Sequence, residues 1–316
     1  MVDIDEFAAQ TAQYRRELLA HCYRMVGSVD DAEDLVQETM LRAWRGYREF
    51  EGRASMRTWL YRIATNACLN ALQHSSRRVL PSGLSGPSDD PETVPLLSSE
   101  IPWLQPMPDV RIEPESSDPA AIVAAREGMR LALIAVWQYL PPRQRAVLIL
   151  RDVLRWKASE VAELLEVSVT AVNSTLQRAH TTLRQTPPAS ADCTEPDDPA
   201  VRAVLDRYAV AFENADMVAL TELLKTDAVM EMPPIREWFR GNLRIVRLIA
   251  TRCPARAGDV RMVRTAANGQ PAFGFYLRGE AHSIHVLTAT PTGIERIVSF
   301  HDSGLFEGFD LPKSLS

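Results

Sequence analysis

Apolar residues recur at three- and four-residue intervals through most of the first 185 positions, and beyond about residue 225 they alternate. The first pattern predicts amphipathic helices and the second predicts half-buried strands. A helix over Thr11–Val26 stops at Gly27, where a left-handed residue closes a helix cheaply, and Ser28 caps the next one. That second helix, VDDAEDLVQETMLRAWRGY, presents Leu35, Met40, Leu41 and Trp44 as a core face. A third runs from Ser55 to Arg78. Further on, two prolines open a helix over Leu140–Leu154 that buries Val147, Leu148, Leu150 and Leu154. Two short helices joined by a tight turn then fill residues 158–184. Val161, Leu164 and Leu165 form the stripe of the first, and Val169, Val172, Leu176, Ala179 and Leu183 that of the second.

After residue 200 the order is helices first, over Val201–Glu213 and Met217–Leu224. Strands follow over Ala228–Met232, Val260–Ala266, Ala272–Leu277, Ser283–Ala289 and Gly293–His301, separated by glycine-containing turns. This predicts an α+β domain with a curved antiparallel sheet. Two stretches break the periodicity. Pro81–Pro119 is rich in proline, serine and acid, and Thr186–Ala200 is a shorter interruption; neither composition supports a core of its own. Within the first break, IPWLQPMPD sets a tryptophan among prolines and predicts an extended piece that docks on the protein's own modules or on a partner.

Charge is distributed unevenly. Residues 1–80 hold 11 basic and 11 acidic groups, 81–120 hold 1 and 8, 121–185 hold 9 and 5, and 186–316 hold 14 and 17. Only the third segment is basic, and the chain carries −6 overall, so unaided electrostatic affinity for nucleic acid is weak. Such a chain is expected to meet DNA as part of a larger complex. The four cysteines, at 22, 68, 193 and 253, show neither metal-ligand spacing nor a disulfide framework. No metal and no cofactor is expected. No stretch reaches the roughly 18 apolar residues of a membrane span, and the acidic N-terminus has no apolar signal region. A cytoplasmic location is expected.

The chemistry concentrates on two helices. Ser168 is a natural N-cap, and behind it Thr170, Asn173, Ser174, Gln177 and Arg178 share the outward sector. Their amide, hydroxyl and guanidinium groups suit base edges and phosphates in a major groove. Arg143, Arg145 and Arg151 on the preceding helix are placed to touch phosphates. The helix from Ser55 alternates aromatics with arginines, and Arg57, Trp59, Tyr61, Arg62, Arg77 and Arg78 suit single-stranded bases and their backbone.

LPPRQRAVLILRDV followed by SEVAELLEVSVTAVNSTLQRAHTTLR resembles region 4 of the extracytoplasmic-function sigma factors of bacterial RNA polymerase. That family usually places glycine in the turn, where this chain has Glu166 before Val167. WLYRIATNACLN resembles regions 2.3 and 2.4, which implies that Asn66 and Asn70 lie near an unpaired promoter base. Resemblance to region 2.2 implies that Asp34, Gln37 and Glu38 dock on a coiled coil of the polymerase clamp. Segments like WLQPMPD occur between regions 2 and 4 in members that carry an extra C-terminal domain. Here that domain, with AVMEMPP and then WFRG before a helix, resembles the SnoaL-like, nuclear-transport-factor-like cone.

The expected organisation is therefore two all-α sigma modules plus a C-terminal α+β cone. Region 2 is placed at 1–80, an acidic linker at 81–120, the region 4 helix-turn-helix at 121–185, a second linker at 186–198 and the cone at 199–316. The implied partners are RNA polymerase core and promoter DNA, with an intramolecular contact between the cone and the linker or region 2. In the cone, Glu231, His285, His301 and Asp302 are the available acid–base groups, without telling spacing, and no catalysis is expected. Met230, Met232, Trp238, Phe239, Phe275 and Phe300 are candidates to line a ligand pocket or to fill the core. The competing reading is a one-component helix-turn-helix regulator whose cone senses a small molecule. It leaves the N-terminal module unexplained.

Overall fold

The computed structural model describes residues 4–50, 52, 54–73, 76–92, 100–112, 128–185, 198–253 and 255–315. They form two compact units, one of Met1–Arg78 with Arg111–Ala189 and the other of Val79–Val110 with Ser190–Ser316.

The first unit is helical. Helices α1 (Ile4–Ala12), α2 (Arg15–Val26), α3 (Val29–Gly46) and α4 (Met56–Ala71) come first. Gly27 takes a left-handed φ of 71°, and its N–H closes α2 onto Tyr23 O at 2.8 Å. Ser28 accepts the Asp31 N–H and starts α3. Helices α2, α3 and α4 pack on one another around Leu18, Cys22, Tyr23, Met25, Leu60 and Ala64, all closed to solvent. Cys22 and Cys68, distant in sequence, meet in this core as free thiols, and the neighbouring thiol together with burial pushes Cys68 up.

The same unit contains α5 (Leu131–Trp137), α6 (Pro142–Leu148), α7 (Ala158–Leu164) and α8 (Val169–Gln185). A wider π turn over Ile149–Val153 extends α6. Helices α6 and α7 brace α8. The two helical modules thus share one unit, and buried Arg145 shows why. Its guanidinium donates to Met25 O, where α2 ends, to the Gln138 side chain at 2.6 Å, and to the Gln138 and Leu140 carbonyls. Carbonyls orphaned at a helix end and in a turn are thereby satisfied by one side chain.

The second unit packs α9 (Pro199–Glu213), α10 (Met217–Leu223) and α11 (Asn242–Arg252) against a six-stranded sheet. Its strands are β1 (Leu224–Glu231), β2 (Trp238–Arg240), β3 (Val260–Ala267), β4 (Gln270–Leu277), β5 (Glu280–Thr290) and β6 (Gly293–Phe300), in the order β2-β1-β6-β5-β4-β3. A short α12 (Leu305–Gly308) follows. The sheet is mixed, correcting the antiparallel expectation: β1 pairs with β6 in parallel, and the other neighbours are antiparallel. The meander from β3 to β6 returns the last strand beside the first, where the two run parallel.

The linker as far as Val110 belongs to this unit, and from Arg111 onward the chain belongs to the first. Val79 N–H donates to Pro102 O, and Leu104 N–H to Val79 O, so the chain on either side of the linker's middle pairs with itself. Met107 donates to Asn268 Oδ1 and accepts from Asn268 N–H, both near 2.9 Å. Asp109 accepts the Gly269 N–H. The WLQPMPD segment is thus docked on the turn between β3 and β4, with Leu104 and Met107 buried. Earlier in the linker, Trp238 Nε1 donates to Ser85 O, and Arg244 and Arg247 pair with Asp89 and Glu92.

Candidate nucleic-acid interface

The turn between α7 and α8 keeps its tight geometry without glycine. Glu166 adopts a φ of 55°, and Val167 N–H closes onto Ala162 O at 3.0 Å. A side chain in this region bears modest strain. Ser168 then caps α8 by accepting the Ala171 N–H. On α8, Thr170, Asn173, Ser174, Gln177 and Arg178 are all exposed. Val172 and Ala179 hold the helix to its neighbours, and His180 anchors it to Asp152 of the π turn at 2.6 Å. The expected apolar stripe is shorter than its sequence pattern, because Val169 is 44% exposed beside a similarly exposed Val167. The first turn of α8 projects past the helices that brace it.

On α4 the expected set divides. Arg62, Asn66 and Asn70 lie one turn apart and are exposed, forming a continuous polar stripe. Trp59 is half-buried and stacks on Phe50 at 4.7 Å. Tyr61 was expected to meet bases, but it is wholly buried between His21 and Trp156. Its hydroxyl donates to Glu17, and burial raises its pKa. Arg57 forms a salt bridge with Glu17 at 2.7 Å and lies over the Tyr61 ring. Arg77 covers the Tyr139 ring at 4.1 Å, and Arg78 pairs with Asp31 at 2.6 Å. These arginines are partly employed in holding the unit together.

Of Arg143, Arg145 and Arg151, expected to touch phosphates, two are engaged inside the unit. Arg145 is buried with the carbonyls already described, and Arg151 donates to Trp156 O; only Arg143 of the three is exposed. Burial lowers the Arg145 pKa to about 10, which leaves it charged at neutral pH.

On α3, Asp34 and Gln37 are exposed and Glu38 is half-buried, with a salt bridge to Arg42. Leu41, expected in the core, is 57% exposed and shares their face. Its spacing, seven residues after Asp34 and four after Gln37, is the signal in the sequence that points to this face rather than to the core. An apolar side chain ringed by acid and amide groups makes a better protein-docking surface than acid alone.

In the cone, Glu231 is closed to solvent and already used, accepting the Ser82 N–H at 2.8 Å and pairing with Arg296. Asp302 is exposed and accepts the Gly304 N–H. Neither faces the cavity, whereas His285 and His301 line it together with Met230, Met232 and Phe275. Trp238, Phe239 and Phe300 are buried elsewhere. Among the described residues, no cluster of three or more His, Cys, Asp or Glu is arranged to hold a metal ion, and no helix is long and apolar enough to cross a membrane.

Two polar helix faces on separate helical modules, an acid-and-leucine face on α3 and a cone bearing the linker define a multidomain transcription factor. The Sigma-70 region 2 model matches residues 11–78 and the Sigma-70 region 4 model matches residues 130–183. The chain belongs to the extracytoplasmic-function RNA polymerase sigma factors. It is 51% identical to the ECF RNA polymerase sigma factor SigG of Mycobacterium tuberculosis, over 98% of this chain and 85% of that protein. It is also 27% identical to the ECF RNA polymerase sigma factor SigW of Bacillus subtilis, over 58% of this chain and 89% of the other. Among solved structures, the sigma factor SigJ of M. tuberculosis shares the fold, with a TM-score of 0.63 at 24% identity over 98% of this chain and all of that one.

Proposed function

We propose that this chain binds RNA polymerase core and directs initiation at promoters with two separated elements. The α3 face carrying Asp34, Gln37, Glu38 and Leu41 meets the polymerase clamp. The α4 stripe of Arg62, Asn66 and Asn70, with Trp59, Arg57, Arg77 and Arg78 beside it, captures the opened proximal element. The outward sector of α8 reads the distal element as duplex. The observation that carries this reading is the exposure of every predicted base-reading residue of α8, in a chain where both sigma regions occur in order. Tyr61 is left in a structural role.

The chain makes and breaks no bond. Its support is the family together with the cone's acids, since Glu231 and Asp302 are committed to hydrogen bonds away from the cavity. The docked linker favours a regulatory cone: a domain that holds the tether between two DNA-reading modules biases the arrangements they adopt. Run-off transcription with purified core on genomic fragments tests the whole reading, and loss of specific transcripts without the chain is expected. Truncation after residue 190 changes promoter activity without abolishing it. A chain that neither co-purifies with core nor programs any start overturns the proposal in favour of the one-component regulator.

A further inference from the structure

The cone holds a partly open cavity of about 320 Å³. Packed interiors hold few voids larger than a water molecule, and a void this size forfeits dispersion contacts along its walls. Its volume falls at the lower end of small-molecule sites, roughly 300–1,000 Å³. Most of the lining is apolar: Phe212, Met230, Met232, Ile235, Leu248 and Phe275 contribute to it.

Polar groups gather on β5 and β6. His282, Ser283, His285, Ser299 and His301 all line the cavity. His285 is 3% exposed; Tyr208 Oη occupies its Nδ1 at 2.9 Å, and no hydrogen bond to its Nε2 is made by the described residues. His301 shares a hydrogen bond with Ser299 through Nε2, and His282 with Ser283 through Nδ1, and among the described residues the second nitrogen of each ring has no hydrogen-bond partner. Burial lowers His285 to about 3 and His301 to about 4, and both are neutral at physiological pH. A neutral imidazole offers one donor and one acceptor. Among the described residues no carboxylate or lysine lines the cavity, and its arginine, Arg252, is exposed. A charged group inside would have no counter-charge.

From this geometry we infer that the cavity is a binding site for a small, uncharged ring compound carrying a hydroxyl or carbonyl group, its polar end set against the histidines. The apolar walls take the ring, and the open imidazole nitrogens replace the water that a hydroxyl or carbonyl gives up. Met230 and Met232 face the cavity from either side of Glu231, which accepts the Ser82 N–H of the linker. One short segment therefore joins the site to the tether.

The full-length chain, without polymerase, is titrated with 6-propionyl-2-dimethylaminonaphthalene, an uncharged naphthalene with a terminal carbonyl and environment-sensitive emission. Saturable binding at one site per chain with blue-shifted emission is expected. Leu248→Trp fills the cavity and weakens binding at least tenfold; Cys253→Trp, at the partly exposed rim, gives the same result if the first variant fails to fold. 2-Naphthol displaces the probe at least fivefold better than 2-methylnaphthalene. That preference falls in the Tyr208→Phe/His285→Phe double variant, which removes the tyrosine's partner together with its need for one, and His282 and His301 carry what remains. Absence of saturable binding, binding unchanged in a folded cavity-filling variant, or equal displacement by the two naphthalenes overturns the proposal. Initiation is not measured, so failure here leaves the sigma reading standing, and failure of initiation leaves this site standing.

Discussion

Helices α4 and α8 were both expected to present DNA-binding side chains, yet α8 exposes its whole base-reading set and α4 exposes about half. The difference lies in position. Helix α8 is held from one side by α6 and α7, so Thr170, Asn173, Ser174, Gln177 and Arg178 on the opposite side stay exposed. Helix α4 packs against α2 and α3 and also meets α6 and α7, leaving a narrow outward stripe. Short amides and hydroxyls on an edge helix have little to do except face solvent or a ligand. Aromatics and arginines on a central helix serve equally well as packing and as caps for orphaned carbonyls.

The largest effects should come from residues that the central helix and its neighbours took out of the DNA-facing set. Tyr61→Ala is expected to destabilise the chain by about 3–5 kcal/mol, as large-to-small changes at buried aromatics do. Arg145→Ala strands several buried acceptors, each worth about 1–3 kcal/mol when left unpaired, and should lower the thermal midpoint clearly. Thermal unfolding checks both. If either variant kept wild-type stability and lost only DNA affinity, the residue would belong to the DNA-facing set and α4 would not differ from α8 in this way.

The packed side of α4 also predicts a response to acid. His21 is buried against Thr65 of α4 at 2.9 Å, and burial, with Arg24 and Arg57 nearby, lowers its pKa from 6.5 to about 3. The unfolded chain binds a proton at this residue below pH 6.5, and the folded chain refuses it until about pH 3. Stability is therefore fully present above pH 6.5 and declines as pH falls through that window. His21→Gln cannot take up that proton, and denaturant titrations between pH 7 and 4.5 should show a shallower decline than in wild type. Equal slopes would mean that the imidazole is solvated.

These contrasts also show how much could be read from the chain beforehand. Caps were legible because each is a local event: Gly27, Ser28 and Ser168 sit where a periodic run starts or stops, and each makes the expected backbone bond. Five strands were legible from alternation. The three-residue β2 was not, since Trp238–Arg240 is too short to alternate, and neither was the parallel pairing of β1 with β6, which joins strands far apart in sequence. Side-chain roles failed where one residue type serves two purposes. Nothing local distinguishes an arginine that caps α2 from one that meets phosphate, and Leu41 has the chemistry of a core residue on a docking face. Glu231 was ambiguous for a similar reason, because its partners, Ser82 and Arg296, come from remote parts of the chain.

Smaller effects separate the two reading faces from each other. Arg178→Ala and Asn173→Ala should each weaken the distal duplex contact by about 1–3 kcal/mol if they meet base edges, with unfolding unchanged. Asn66→Ala should impair opening or proximal-element selectivity while distal binding is kept, and footprinting of the holoenzyme resolves the two defects. Joint loss of both footprints in either variant would show that the faces do not act separately.

The smallest expected effect tests the turn that aims α8. Glu166 is an exposed residue held at a φ of 55°, where a β-carbon crowds the backbone and glycine has no such penalty. Glu166→Gly should therefore leave the turn and the Val167 N–H bond to Ala162 in place. Relief of the strain, about 1–2 kcal/mol for a non-glycine residue in this region, is partly cancelled by glycine's larger unfolded-state entropy, leaving a net gain of under about 1 kcal/mol. Distal-element affinity should stay at wild-type level, because the bases are read by residues after the cap. A more stable variant with weakened distal binding would mean that Glu166 itself sets the angle at which α8 enters the groove, and that the non-glycine turn is part of the reading surface.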